Sequence, residues 1–301
     1  MLSGLIKTLR PHQWVKNAFV LAPMFFAKDA LLDTPAGKAL NLSVTGRAIA
    51  GTLIFCFLSG AVYTINDLAD VEADRVHPVK RERPIASGDV PESLARVMAV
   101  LLVVMSLGFG FLLDWRFCLV TAFYFVENLA YTFKLKKVAY LDVCLLALGF
   151  VLRVLAGGFA TKTYVSHYLI ACTALLALFL GFGKRRYELA GENVGKQRAA
   201  LEAYSANALN VALGLTGGAT VVVYVAYTLD AATQKFFQTQ YLWLTAPFVI
   251  GGILRFLYLV SGRGGRGLRS ESPTQEMLSD VPFVMNVFCW VLIVLAIIYR
   301  L

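Results

Sequence analysis

The tightest constraint on this chain is its repetition of apolar runs about as long as a bilayer is thick. The last of them, VPFVMNVFCWVLIVLAIIYR at 281–300, carries no charge before its final residue. A helix needs about 20 mainly apolar residues to cross the hydrocarbon. Nine segments approach that requirement, near 14–32, 46–66, 93–113, 115–133, 139–160, 165–183, 207–229, 240–260 and 281–300. Helices are expected because a backbone facing lipid must satisfy its hydrogen bonds within its own segment. The expected fold is therefore an all-α integral membrane protein. Composition agrees: 58% of the 301 residues are hydrophobic and 16% charged, against about half and a quarter in soluble domains.

The net charge of +9 would suggest nucleic acid in a soluble domain. In a membrane protein, lysines and arginines first report which loops are cytoplasmic, so no nucleic-acid partner is expected. With the N-terminus inside, most of the 28 Lys and Arg residues fall on one side, and Lys28, Lys38, Arg47, Arg116, Lys162, Lys235 and Arg300 fall on the other. That bias predicts a multi-pass protein of the inner (plasma) membrane with a cytoplasmic N-terminus and an odd number of spans. Cys56, Cys118, Cys144, Cys172 and Cys289 stand alone in apolar runs and read as small hydrophobes. The stretch MLSGLIKTLRPHQWVKN lacks an apolar core ending in small residues, so the first span is expected to be retained rather than cleaved.

Two long charged segments, 67–92 and 184–206, fall on the cytoplasmic side. Four spans separate them, a spacing that suggests a degenerate repeat of helix, charged segment, helix. A third inner segment, SGRGGRGLRSESPTQEMLSD, reads as a flexible loop.

The first charged segment is INDLADVEADRVHPVKRERPIASG, residues 65–88. If the second span continues through Asp74, offsets of three and seven residues place Asp67, Asp70 and Asp74 on one stripe with Asn66 at its margin. Two readings fit. The acids either form a solvated helix end, or they surround a hard divalent cation such as Mg²⁺, which takes oxygen ligands and joins carboxylates to substrate phosphates. His77-Pro78 and Pro84 break the helix, so the following loop is free to fold back and bring Lys80 and Arg83 over the acids as phosphate ligands. The plainer alternative makes these bases ordinary positive-inside residues.

This stretch resembles the first aspartate-rich motif, NDxxDxxxD followed by HPxKxxRPIASG, of the UbiA-type intramembrane prenyltransferase superfamily. The resemblance covers nearly the whole chain. It implies one membrane domain over 1–301: a nine-helix bundle with cytoplasmic cap loops over a polar cavity, lateral access for lipid, and Mg²⁺ held by Asp67, Asp70 and Asp74 facing the cytoplasm. The superfamily's second motif, DxxxD after span six, is represented by Glu188 and Glu192 in KRRYELAGENVGKQR. Spacing puts them on one face with Lys184, where surface ion pairing explains them equally well. LRPHQWVKN, NLAYTFKLKKVAYLDV, VLRVLAGGFA and GKRRYELAGE resemble the branch of the superfamily whose donor is phosphoribosyl diphosphate and whose acceptor is decaprenyl, or another polyprenyl, phosphate.

Arg153 lies near mid-span, where an arginine costs roughly 2.5–3.5 kcal/mol. It should meet either a substrate phosphate or a structural acid, for which Asp142, eleven residues earlier, is the candidate. Asn128 and Tyr131 share a face and either hold ribose hydroxyls or bond between helices. Lys134 and Lys136 either contact the donor or extend to headgroups. Lys16, beside the interface residue Trp14, is a further phosphate candidate. No Ser/His/Asp arrangement or His cluster is present to supply a protein nucleophile or a metal triad.

The resemblance implies transfer of 5-phosphoribosyl to the lipid phosphate with release of diphosphate, feeding cell-wall arabinan synthesis. The nearest alternative is a conventional prenyltransferase that uses a polyprenyl diphosphate donor and an aromatic acceptor. The alternative of another class is a transporter lined by polar residues. Expected partners are the two substrates and the lipid bilayer; a homo-oligomer is compatible with all three readings.

Overall fold

The computed structural model describes residues 1–34, 37–190, 201, 203–261, 277 and 279–299. Its helices are α1 (Leu2–Thr8), α2 (Ala22–Phe26), α3 (Lys28–Leu32), α4 (Leu42–Ala69), α5 (Val71–Arg75), α6 (Glu92–Leu113), α7 (Trp115–Phe133), α8 (Leu141–Thr161), α9 (His167–Ala190), α10 (Ala206–Leu229), α11 (Ala231–Phe237), α12 (Ala246–Val260) and α13 (Val281–Tyr299). Two two-residue strands, β1 (Asp33–Thr34) and β2 (Gly37–Lys38), pair antiparallel.

Among the described residues, seven helical stretches are long and apolar enough to cross a membrane: α4, α6, α8, α9, α10, α13 and Tyr241–Val260, where a short 3-10 turn runs into α12. α7 is as long as α13, but Glu127 and Asn128 interrupt its apolar surface. The expected first span, 14–32, is not one helix. Pro11 opens a 3-10 helix over Pro11–Val20, Pro23 opens α2, and Ala27 separates α2 from α3 with φ −103° and ψ 60°. Proline removes a backbone donor and clashes with the carbonyl four residues earlier, so apolarity alone does not make this stretch continuous.

The chain divides into two compact units, residues 1–136 with 148–165, and residues 137–147 with 166–301. In the first, α4 is central. Its N-cap Asn41 accepts from the amides of Ser43 and Val44, both at 3.2 Å, which satisfies two of the amides a helix start leaves open. α4 then buries Phe55, Leu58 and Val62 against Phe117 and Tyr124 of α7 and Leu152, Ala156 and Ala160 of α8. Gly157 lets the N-terminal 3-10 helix lie against α8, because a Cβ there would stand 2.0 Å from the carbonyl oxygen of Val20.

The second unit packs Phe179 and Phe182 of α9 against Leu209 and Leu213 of α10 and Phe256 and Val260 of α12. The rings of Phe179 and Phe256 lie 5.0 Å apart. Gly183 makes room for Phe256, whose ring atoms would lie 2.4 Å from a Cβ at that position.

Candidate active site

α4 ends at the acids. Asp70 leaves helical geometry at φ −102° and ψ 7° and precedes α5, so Asp67, Asp70 and Asp74 do not form one continuous stripe. Asp67 and Asp74, each 3% exposed, turn inward and share one guanidinium nitrogen. Arg83 Nη1 donates to Asp67 Oδ1 at 3.0 Å and to Asp74 Oδ2 at 2.6 Å. Arg10 Nη2 donates to the same Asp67 oxygen at 2.5 Å. Asp70 is more open and receives Lys136 Nζ at 2.8 and 3.0 Å. Three acids are thus matched by three bases from three separate stretches of chain.

The basic loop does fold back, but through Arg83. Ile85 and Val90 bury with Val71 and Ala95, and Leu5 and Leu68 pack against them. This small core anchors the loop, and Gly88 turns it with φ 86°, a conformation that suits glycine. Lys80 is exposed in the 3-10 turn Lys80–Glu82. Its backbone amide donates to His77 Nδ1, and Arg10 and Lys136 join Arg83 at the acids. Asn66 is half-buried, and its carbonyl accepts the closing helical bond from the Asp70 amide.

The donor set can be compared with what Mg²⁺ requires. Among the described residues no three His, Cys, Asp or Glu side chains converge as a ready-made metal site. Asp67 and Asp74 nevertheless reach a common point, now held by the Arg83 nitrogen. Mg²⁺ commonly takes one or two carboxylates together with substrate phosphates. Two inward carboxylates, with Asp70 beside them and bases at hand for phosphate, fit that pattern.

Deeper in the same unit lies a second polar centre. Arg153, 5% exposed, donates from Nε to Asn17 Oδ1 (2.9 Å), from Nη1 to the Gly149 carbonyl (2.8 Å) and from Nη2 to the Tyr124 hydroxyl (2.9 Å). Its guanidinium also stacks 4.8 Å from the centre of the Tyr124 ring. The expected Asp142 partner is not there, because eleven helical residues span about 16 Å, beyond an arginine's reach. Lys16 is half-buried, with the charges of Arg153 and Arg10 as neighbours. Asn128 donates to the Tyr124 carbonyl (2.8 Å) and to Glu127 Oε2 (2.7 Å). Tyr131 is half-buried near the end of α7, and Lys134 is exposed at its C-cap.

Asp142 serves the second unit. It is fully buried, accepts from the Tyr204 hydroxyl at 2.5 Å and pairs with Arg185 Nε at 2.8 Å. Burial, with the Asp142 carboxylate beside it, pushes the Tyr204 hydroxyl above its usual range. Arg185 also binds Glu188 on its own helix, and Lys184 Nζ lies 3.9 Å from Glu188. Glu192 lies outside the described residues. The sequence reading did not single out Arg10, Glu127, Arg185 or Tyr204. The signal for Glu127 was available: an acid inside an apolar span is expensive and functional by default.

Residues 20–263 match the UbiA prenyltransferase family, and the chain belongs to it. With seven helical stretches among the described residues able to cross a bilayer, it is a multi-pass membrane protein. It is 36% identical to the decaprenyl-phosphate phosphoribosyltransferase of Mycolicibacterium smegmatis, over 97% of this chain and 91% of that one. It is 35% identical to the enzyme of the same name from Mycobacterium tuberculosis, over 97% and 93%. The fold is also similar to a UbiA homologue from Archaeoglobus fulgidus solved with DMAPP and Mg²⁺, at a TM-score of 0.71 and 20% identity over 99% of both chains.

Proposed function

We propose that the protein transfers the 5-phosphoribosyl group of phosphoribosyl diphosphate to a polyprenyl phosphate such as decaprenyl phosphate, releasing diphosphate. The observation that carries this reading is the near full-length similarity to the two phosphoribosyltransferases. The geometry adds support: two cationic centres in one unit, one around Arg10, Arg83 and Lys136 and one around Lys16 and Arg153, suit a donor with a phosphate group at each end.

In this reading Asp67 and Asp74, assisted by Asp70, would hold Mg²⁺, which supplies positive charge to the leaving diphosphate. Arg10, Arg83 and Lys136 pass from the carboxylates to diphosphate oxygens, while Lys16 and Arg153 hold the 5-phosphate. Asn66, Asn128, Tyr131 and Lys134 complete the donor's surroundings, with the ribose hydroxyls at Asn128 and Tyr131. The bond from the anomeric carbon to the diphosphate breaks as the acceptor phosphate oxygen bonds to the opposite face, inverting that carbon. The acceptor phosphate is already an anion, so no side chain has to remove a proton. Charge-assisted donors aimed at the departing group stabilise the transition state.

We read α7 and the broken stretch 11–32 as two further crossings, nine in all, with the N-terminus and the acids at the cytoplasmic face of the plasma membrane. The charged segments, including Lys80 and the Lys184–Glu188 pair, lie on that same side. The lipid product would serve as a precursor for cell-wall arabinan. Incubating purified protein with Mg²⁺, labelled phosphoribosyl diphosphate and polyprenyl phosphate should move label into the lipid phase. No transfer by folded, lipid-supplied protein, together with alkylation of an aromatic acceptor by a prenyl diphosphate, would replace this reading with conventional prenyl transfer.

A further inference from the structure

One buried acid has no part in the chemistry above. Glu127 is 8% exposed and sits less than two turns from the end of α7. Its hydrogen bond comes from its own neighbour, Asn128 Nδ2 on Oε2 at 2.7 Å. Arg153 is its charged neighbour, yet each donating nitrogen of Arg153 is hydrogen-bonded elsewhere, to Asn17, Gly149 and Tyr124. A carboxylate offers about four acceptor positions, so one amide bond leaves most of its capacity unused. Placing such a group in a membrane span is costly unless something polar meets it.

The surroundings define what that something is. From the acids to Glu127, one unit carries a series of charged and polar side chains. Arg10 bonds Asp67 and lies over the Tyr63 ring at 5.2 Å, Lys16 neighbours both Arg10 and Arg153, and Arg153 neighbours Glu127. Lys16, Arg10 and Arg153 can only donate hydrogen bonds; Glu127, when ionised, can only accept them. Cations suit the phosphates of a sugar diphosphate donor. Its free hydroxyls need acceptors.

We infer that Glu127, oriented by Asn128, accepts the vicinal hydroxyls of the donor sugar and so sets the enzyme's preference for a ribosyl over a deoxyribosyl donor. The inference rests on the phosphoribosyl reading and adds a specificity-determining residue to it. A site built to bond a hydroxyl rejects the analogue that lacks it, because its own buried group is then left unpaired. A prenyl diphosphate, which has no hydroxyls, would leave Glu127 unpaired in the same way.

The test compares kcat/KM for phosphoribosyl diphosphate with kcat/KM for its 2-deoxy and 3-deoxy analogues, using the full-length protein with Mg²⁺ and polyprenyl phosphate. The comparison is made in wild type, Glu127→Gln and Glu127→Asp. Because each variant is read as a ratio of two donors, the different intrinsic reactivity of a deoxy sugar cancels. Hydrogen bonds to a charged group are worth on the order of a ten- to hundredfold effect in rate or binding. Glu127→Gln should reduce the ribosyl preference by that factor, mostly through loss on the ribosyl donor. Glu127→Asp, which keeps the charge but withdraws it by one methylene, should reduce it in the same direction, and it decides the matter if Glu127→Gln does not fold. Equal loss on all donors, as a purely structural role would give, or an unchanged preference would overturn the inference while leaving the phosphoribosyl reading intact. Failure of the wild type to use phosphoribosyl diphosphate at all would instead remove that reading, and this inference with it.

Discussion

Arg83→Met should make the resting protein less stable and, at the same time, newly responsive to Mg²⁺. Arg83 Nη1 is the shared partner of Asp67 and Asp74, both 3% exposed, and the arginine itself is 27% exposed. Removing one member of a buried ion pair costs about 3–5 kcal/mol. Arg10 remains on Asp67 and Arg83 is partly solvated, so a loss of about 2–3 kcal/mol is expected. At about 2–4 °C per kcal/mol for a chain of this size class, the melting temperature should fall by roughly 5–10 °C. The two carboxylates then face each other without the guanidinium between them, and a hard dication is the group that replaces it. Mg²⁺ at a hundred times its Kd contributes about 2.7 kcal/mol, enough to restore most of the loss. The assay is thermal unfolding in detergent, followed by tryptophan fluorescence, with Mg²⁺ titrated and no substrate present. Wild type should respond little, because Arg83 already holds that position. Equal Mg²⁺ shifts in wild type and variant, or no loss of stability in the variant, would refute the reasoning.

Asp70→Asn should abolish transfer in the phosphoribosyl assay while leaving membrane insertion and melting temperature near wild type, because Asp70 is the most open of the three acids and is held by Lys136. Gly157→Ala should cost more than the about 1–3 kcal/mol usual for overpacking, because the new methyl meets the Val20 carbonyl, which belongs to the backbone, at 2.0 Å; melting temperature reads the loss, and faster protease cleavage within residues 11–20 reads the detachment. Asp142→Asn should destabilise by about 3 kcal/mol, since it removes the charge of a fully buried carboxylate paired with Arg185, itself 2% exposed. Changing Asp142 to Leu and Arg185 to Met together should recover much of that loss, and a double-variant cost equal to the sum of the singles would show that the two residues do not act as a pair.

The parts of this site that were legible in the sequence are those whose partners lie close along the chain. Asp74 and Arg83 are nine residues apart, with His77-Pro78 and Pro84 marking the turn between them. Lys136 was a candidate for the donor but not for Asp70, from which it is 66 residues removed, and Arg10 reaches Asp67 across 57. Periodicity says which face of a helix a residue occupies; it says nothing about which other helix that face meets. The assignment of Asp142 to Arg153 failed for a related reason, because sharing a face does not bring two residues to the same height along the axis. The apolar runs located α4, α6, α8, α10, Tyr241–Val260 and α13 within a few residues, and the start but not the end of α9, which continues from 183 to Ala190 through the charged Lys184, Arg185 and Arg186. They could not show that Pro23 and Ala27 divide the first run.

The match of three acids by three bases also bears on the order in which the enzyme fills. With Asp67, Asp70 and Asp74 already neutralised by Arg10, Arg83 and Lys136, the resting centre carries almost no field of its own to attract a lone ion. A cation arriving alone would have to displace these bases from the acids, and an anion arriving alone would have to draw the bases away from their carboxylates. In the proposed reading a metal bound to its diphosphate would meet both needs at once, with Asp67, Asp70 and Asp74 holding the metal and Arg10, Arg83 and Lys136 the phosphates. In that reading electroneutrality would gate the centre, favouring the metal–diphosphate pair over free phosphate or free Mg²⁺.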